Sequence, residues 1–223
     1  MMAVRGASFR KHAASALDPV LVKRGKMQIR DAVEADFEQI TAIYNEVLTH
    51  STAIYNDRPS TIEERLTGWR GRLDQGYPLL VATNEKQVEG FATFGDFRSW
   101  PGYRFTVEGT VHIHADARSR GVGTALLKEI VARARALGKH TMIAGVDSEN
   151  AASLRFLERF GFERVAHLRE VGFKFDRYLD LVLLQYWLSP PSGPAPDLQR
   201  VHRPNARPNL DPLISDANQG RDV

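Results

Sequence analysis

Apolar positions recur with two different periods that alternate along residues 27–188. Met27-Gln28-Ile29-Arg30 has the two-residue alternation of a short strand. Phe37, Ile40, Ile43, Tyr44, Val47 and Leu48 then fall at helical spacing, which predicts an amphipathic helix over 34–49. Ser60-Thr61-Ile62-Glu63 reads as a capping box that opens a second helix ending near Gln75. Strands follow at 78–83 and 88–95, joined by the polar turn Asn84-Glu85-Lys86-Gln87. Beyond a polar loop over 96–104 lies a β-branched strand, 106–114. A helix over 123–137 carries Leu126, Leu127, Ile130, Val131 and Ala134 on one face and ends at Gly138. The pattern closes with a strand at 141–146, a helix at 150–160 stopped by Gly161, and strands at 162–174 and 178–188. No internal repeat is present. The order predicts an α/β fold, a mixed sheet of about seven strands flanked by helices.

The patterned stretch, 27–188, is the expected domain, and 1–26 and 189–223 are expected appendages. The formal charge of +3 belongs to one of them. Residues 1–26 hold Arg5, Arg10, Lys11, Lys23, Arg24 and Lys26 against Asp18 alone, a balance of +5. In 189–223 four arginines offset four aspartates, which leaves a body of 20 basic and 22 acidic residues, or −2. A nucleic-acid-binding domain carries a basic body, so no nucleic-acid partner is expected. The segment 1–26 reads as a flexible basic arm or as sequence ahead of a true start at Met27; a transit peptide is a third reading, weakened by the lack of an amphipathic stripe. The far segment holds seven of the 11 prolines and few large apolar residues, so disorder is expected there. With no cysteine, disulfides, a thiolate nucleophile and Cys-ligated metal are excluded. No apolar run approaches the ~18 residues of a spanning helix, and no membrane partner is expected.

Candidate chemistry concentrates where a strand meets a helix, at Arg118-Ser119-Arg120-Gly121-Val122-Gly123-Thr124. Glycines there let backbone N–H groups turn toward an anion, the helix N-terminus adds a favourable dipole, and two arginines offer countercharge. These are the parts of a pyrophosphate cradle, although a Gly-x-Gly turn before a helix also serves as plain structural punctuation. Neither a Walker A loop nor a dinucleotide fingerprint is present: Gly121-Val122-Gly123-Thr124-Ala125-Leu126 lacks the third glycine.

The cradle after a strand, followed by a helix, a strand, Asn150-x-x-Ser153 and Phe160-Gly161-Phe162, resembles the GNAT family of acetyl-CoA-dependent N-acetyltransferases. Within it, Thr106-Val107-Glu108-Gly109-Thr110-Val111-His112-Ile113, Gly138-Lys139-His140, Asn150-Ala151-Ala152-Ser153 and Val171-Gly172-Phe173-Lys174 are similar to the phosphinothricin and methionine sulfoximine/sulfone acetyltransferases. The resemblance covers about 27–188 and implies the GNAT acyl-CoA N-acyltransferase fold. It further implies acetyl-CoA as co-substrate, a free L-amino acid or analogue as the small-molecule amine, direct attack without an acyl-enzyme, no metal, a homodimer and a cytoplasmic setting.

The resemblance also assigns roles. The backbone of Val111, His112 and Ile113 pairs with the pantetheine amides. The loop Arg118, Ser119, Arg120, Gly121, Val122, Gly123 and Thr124 holds the pyrophosphate. Asn150 reaches the cofactor near the thioester, a place that equally suits a helix N-cap, and Arg159 adds a further contact. Glu108 is the expected general base, because the amine is an ammonium at neutral pH and must lose a proton to attack. Strand alternation puts Glu108, Thr110, His112 and His114 on one face and Gly109, Val111 and Ile113 on the other. Substrate contacts are expected from Arg98, Ser99 and Trp100, the arginine on an α-carboxylate, with Glu108, Gly109 and Thr110 lining the same pocket. His112, His114 and Asp116 are spaced too loosely for a metal site. Leu157 departs from the family, which has His or Tyr facing the sulfur, and a leucine cannot donate a proton there. Transfer to protein amines and a weakly catalytic acyl-CoA-binding module remain alternative readings.

Overall fold

The computed structural model describes residues 27–85 and 87–190; the expected arm at 1–26 and nearly all of the expected tail lie outside the described residues. Seven strands form one mixed sheet. β1 (Gln28–Asp31), β2 (Leu79–Asn84), β3 (Gln87–Asp96) and β4 (Thr106–Ile113) lie side by side and antiparallel. β5 (Thr141–Asp147) joins β4 in parallel, then β7 (Arg177–Trp187) pairs antiparallel with β5, and β6 (Glu163–Lys174) forms the outer edge. The spatial order is β1-β2-β3-β4-β5-β7-β6.

Two apolar layers sandwich the sheet. On one face α1 (Phe37–His50) and α2 (Ile62–Asp74) lie over the strands, and α1 buries Phe37, Ile40 and Ile43 against Leu79, Val81 and Phe91. On the other, α3 (Val122–Ala136) and α4 (Ala151–Phe160) bury Leu126, Ile130, Leu154 and Leu157 against Leu80, Val107, Met142 and Leu184. Because both faces of β2 are covered, its run Leu79-Leu80-Val81-Ala82 is continuously apolar rather than alternating.

The boundaries differ from the sequence pattern in small, explicable ways. The first helical stretch begins as a 3₁₀ turn, Glu34–Asp36, before α1. The capping box of α2 is shifted by one residue: Glu64 N donates to Thr61 Oγ1 at 3.2 Å, and Thr61 N donates to Glu64 Oε2 at 2.8 Å. Ser60 is engaged elsewhere, its backbone exchanging two 2.9 Å hydrogen bonds with the Asn45 amide. The last predicted strand, 178–188, belongs to the core rather than to an edge. β7 lies inside the sheet with Leu179, Val182 and Leu184 buried, while the edge strand β6 exposes Val165, Val171 and Phe173.

One feature of the register positions everything that follows. β4 and β5 pair only at Thr106↔Thr141, Val107↔Met142 and Glu108↔Ile143, and then part. On its other side β4 stays paired with β3 as far as Gly90↔Ile113. The stretch 109–113 therefore presents a β5-facing edge with no strand partner among the described residues.

Candidate active site

A cleft of about 390 Å³ occupies the gap where the two strands part. The alternation expected along β4 is observed. Val111 and Ile113 pack into the α3 layer, whereas Glu108, Thr110 and His112 share the opposite face, His112 with its ring beside Tyr44 and Phe91. Glu108 stands at the fork, on the last paired rung. Its Oε1 lies 3.6 Å from the point where a Cβ on Gly145 would sit, and among the described residues no side chain hydrogen-bonds or ion-pairs with it. Two residues beyond Gly145 is Asp147, buried, with Oδ1 accepting from Glu149 N at 2.7 Å and Oδ2 unpartnered. Burial and the nearby Arg65 push His112 down to about 4, so its imidazole is neutral at neutral pH.

The wall opposite α3 is completed by α2 and by the loop before it, neither of which the sequence pattern marks as part of a site. Arg65 and Arg72, on α2, both line the cleft. Arg65 stacks over Tyr44 with 4.0 Å between guanidinium and ring centre, and burial lowers the pKa of both arginines. The available signal was positional: the two arginines flank Leu66 and Trp69 on the face where the helical period calls for apolar residues.

The second element is the loop between α1 and α2, which contributes Ala53 and Ile54 to the cleft. It is clamped from below by β6. Lys174 is buried, and its Nζ donates to the carbonyls of Leu48, Ser51 and Ile54 at 2.5, 2.9 and 2.8 Å. The Tyr55 hydroxyl donates to Asp180 O at 3.1 Å, and its ring lies so close to Gly172 that a Cβ there would come within 2.4 Å of it. Burial, reinforced by Asp147 and Asp180, pushes the Tyr55 hydroxyl up to about 12, which keeps it a donor.

The opposite wall continues from β4 into α3. Gly121, at φ 84°, occupies the left-handed region that a side chain disfavours, and no side chain caps the helix it opens. The first N–H groups of a helix have no intrahelical partner, so those of α3 are available to an anion. The loop adjoins the open strand edge: a Cβ on Gly123 would stand 3.7 Å from Ile113 and 3.4 Å from Phe156. Ser119 (φ 60°) and Thr124 are exposed, and Val122 anchors the turn in the core. Of the two arginines, Arg118 is exposed and has no ion pair among the described residues. Arg120 turns back to Glu89 at 2.9 Å. Glu89 is buried and requires a partner, so the charge of Arg120 is already countered within the fold.

The remaining expected residues divide. Thr110, Gly109, Val111, His112 and Asn150 line the cleft. Asn150 also caps α4, its Oδ1 accepting from Ser153 N at 3.1 Å, so the capping reading is the one observed. Leu157 lines the cleft from the apolar layer. Arg159 is exposed in the last turn of α4 and does not reach the cleft. Arg98, Ser99 and Trp100 do not line it either. Arg98 stacks on Phe97 at 4.1 Å, and Trp100 is 73% exposed. Their loop runs off the end of β3 and is held by Lys139, whose Nζ donates to Arg104 O at 2.8 Å.

Residues 37–162 match the profile of the Acetyltransferase (GNAT) family. Over 168 residues the chain is 43% identical to the L-methionine sulfoximine/L-methionine sulfone acetyltransferase of Salmonella typhimurium, covering 75% of this chain and 98% of that protein. It is 36% identical over 159 residues to the phosphinothricin N-acetyltransferase of Streptomyces coelicolor, covering 70% and 93%. An acetyltransferase of Salmonella typhimurium, solved with its cofactor acetyl-CoA, superposes with a TM-score of 0.74 at 43% identity, over 77% of this chain and 98% of that one.

Proposed function

The chain belongs to the acetyltransferase (GNAT) family, and from that premise we propose that it acetylates the α-amine of a small L-amino acid or analogue, of the methionine sulfoximine, methionine sulfone or phosphinothricin type. The observation that carries this is the unpartnered Glu108 carboxylate at the fork of β4 and β5, beside an unpaired strand edge and across from two arginines. A zwitterion needs both signs of charge within one small cleft, and a protein-amine site needs only the acid.

Acetyl-CoA supplies the thioester carbonyl that the amine attacks. The open edge at Val111, His112 and Ile113 suits the amides of an extended pantetheine as an added strand. The N–H groups from Ser119 to Thr124, with Arg118, suit the pyrophosphate; Asn150, which lines the cleft, keeps its expected cofactor role, and Arg159, outside the cleft, remains a proposed cofactor contact on the strength of the resemblance. Glu108 takes the ammonium proton, directly or through water. Neutral His112 packs beneath the site and carries no charge into it. Leu157 offers no proton on the sulfur side, so water is the donor there. Gly109 and Thr110 complete the pocket floor, and holding amine and thioester together supplies much of the rate. Arg98, Ser99 and Trp100 remain proposed substrate contacts on the strength of the resemblance.

The reading extends to a homodimer, for which the apolar outer strand β6 is the proposed surface, and to a cytoplasmic setting, where acetyl-CoA is made. Light scattering of the purified chain tests the dimer. The activity test is thiol release from acetyl-CoA with phosphinothricin, methionine sulfoximine, methionine sulfone and the common L-amino acids. Turnover on the first three is expected. Silence on every amino acid, with acetyl-CoA still bound, would transfer the proposal to protein amines or to a sensor.

A further inference from the structure

Three other arginines set a standard for the two that face the cleft. Arg70 reaches Glu34 at 2.5 Å, Arg58, just before α2, reaches Glu64 at 2.6 Å, and across the sheet Arg120 has Glu89. Arg65 and Arg72 have no carboxylate within ion-pair distance among the described residues, and Arg65 Nε is buried without any hydrogen-bond partner. Burial disfavours their charge, and Arg72 further disfavours that of Arg65. Two partly desolvated like charges left without a counterion are a standing cost to the fold, and an arriving anion relieves it.

Their places along the strands distinguish the two. Arg65 stands over Tyr44, with the Phe91 ring 6.0 Å away, and Phe91 is opposite His112. Arg72 is seven residues further on, about 10 Å along the helix axis. Its carbonyl accepts from Tyr77 N at 2.9 Å, and Tyr77 in turn donates to Asp96, beside the Gly95↔Glu108 rung. Arg72 thus lies toward the Glu108 end of the cleft and Arg65 toward the His112 end.

We infer that Arg72 holds the α-carboxylate of the substrate and Arg65 the oxygens of its side chain, so that the pair selects amino acids whose side chains end in an oxygen-rich group. The α-carboxylate is one carbon from the amine that Glu108 deprotonates, so it belongs with the arginine nearer that carboxylate. The planar fork of each guanidinium suits paired oxygens, and the stack on Tyr44 fixes the plane of Arg65. A sulfone, sulfoximine or phosphinate presents a pair of strong oxygen or nitrogen acceptors to it, whereas a thioether presents only its weakly accepting sulfur. This inference rests on the proposed amino-acid activity, and its test separates the two.

The experiment measures calorimetric binding to the CoA-saturated full chain, alongside turnover with acetyl-CoA, for methionine sulfone, its carboxamide and methionine. Arg72→Gln is expected to weaken methionine sulfone by about 10–100-fold while leaving the carboxamide nearly unchanged. Arg65→Gln is expected to weaken methionine sulfone by a similar factor and methionine little. Arg72→Gln should leave Tm unchanged or raise it, since it removes an uncompensated charge. If the wild type binds but does not turn over, the activity falls while the binding contrasts still decide the pair. Equal losses for acid and carboxamide, no loss in either variant, exchanged preferences, or a Tm drop with a uniform loss of affinity each overturn the inference.

Discussion

The wall of the cleft on the α3 side is made of backbone, and the wall on the α2 side is made of side chains. On the first, the open edge of 109–113 and the uncapped N-terminus of α3 supply hydrogen-bonding groups that any sequence with this register and this turn would supply. On the second, Glu108 of β4, Asp147 of β5 and the pair Arg65 and Arg72 of α2 supply charge, each through a specific side chain. The difference suits the two ligands. On the proposed reading, a cofactor common to many enzymes would be gripped by generic peptide groups, and a particular amine would be chosen by particular charges. Changes on one wall should therefore be felt by one ligand.

The strongest challenge to this division is Glu108→Gln. It should lower kcat by about 10²–10⁴-fold with the Kd for acetyl-CoA nearly unchanged, measured by thiol release and calorimetry. Full turnover across pH 6–9 would remove Glu108 from the chemistry. On the other wall, Gly121→Val forces a β-branched residue to φ 84°, at about 1–2 kcal/mol, and crowds the anion site. The KM for acetyl-CoA should rise by about tenfold or more with that for the amino acid little changed, and equal rises would erase the distinction between walls.

The loop between α1 and α2 belongs to the side-chain wall, although Lys174 of β6 supports it. Lys174→Met leaves three carbonyls without their donor, at about 1–3 kcal/mol, and frees Ile54. A several-fold increase in the amino-acid KM is expected, with a lower Tm and little change for acetyl-CoA. A Tm change alone would reduce Lys174 to a structural tie.

A pH effect comes next. His112 titrates at about 4 in the fold against about 6.5 unfolded. The unfolded chain therefore binds more protons between those values, and stability falls as pH drops from 6.5 to 4, by about 1–3 kcal/mol from this residue. Chemical denaturation at pH 7 and pH 4.5 should show a smaller drop for His112→Gln than for the wild type. The smallest effect is expected from Arg98→Ala, a modest rise in amino-acid KM; an equal rise for acetyl-CoA would end its proposed place among the substrate contacts.

Much of this molecule was legible before any coordinates. Phe37, Ile40, Ile43 and the stripe from Leu126 to Ala134 marked their helices because burying one face imposes the helical period. The order of elements predicted the mixed sheet, and the turn from Arg118 to Thr124 was placed correctly at the start of α3. The resemblance pointed to Glu108, and strand alternation put it on the face that it occupies in the cleft. Less legible was the engagement of Arg120, since no local pattern reveals that Glu89 is buried beside it. Arg98 read as a carboxylate contact, and yet its loop stands outside the cleft of this chain.

Local spacing along the chain determined the elements, their faces and the phosphate-type turn, because these depend on neighbours within a few residues. The parting of β4 from β5 after three rungs, the clamp of Lys174 on a loop about 120 residues earlier, and the meeting of Arg65 and Arg72 with Glu108 were decided only in three dimensions. Each depends on contacts between segments far apart in sequence, whose geometry is set by packing the whole sheet against both helical layers at once.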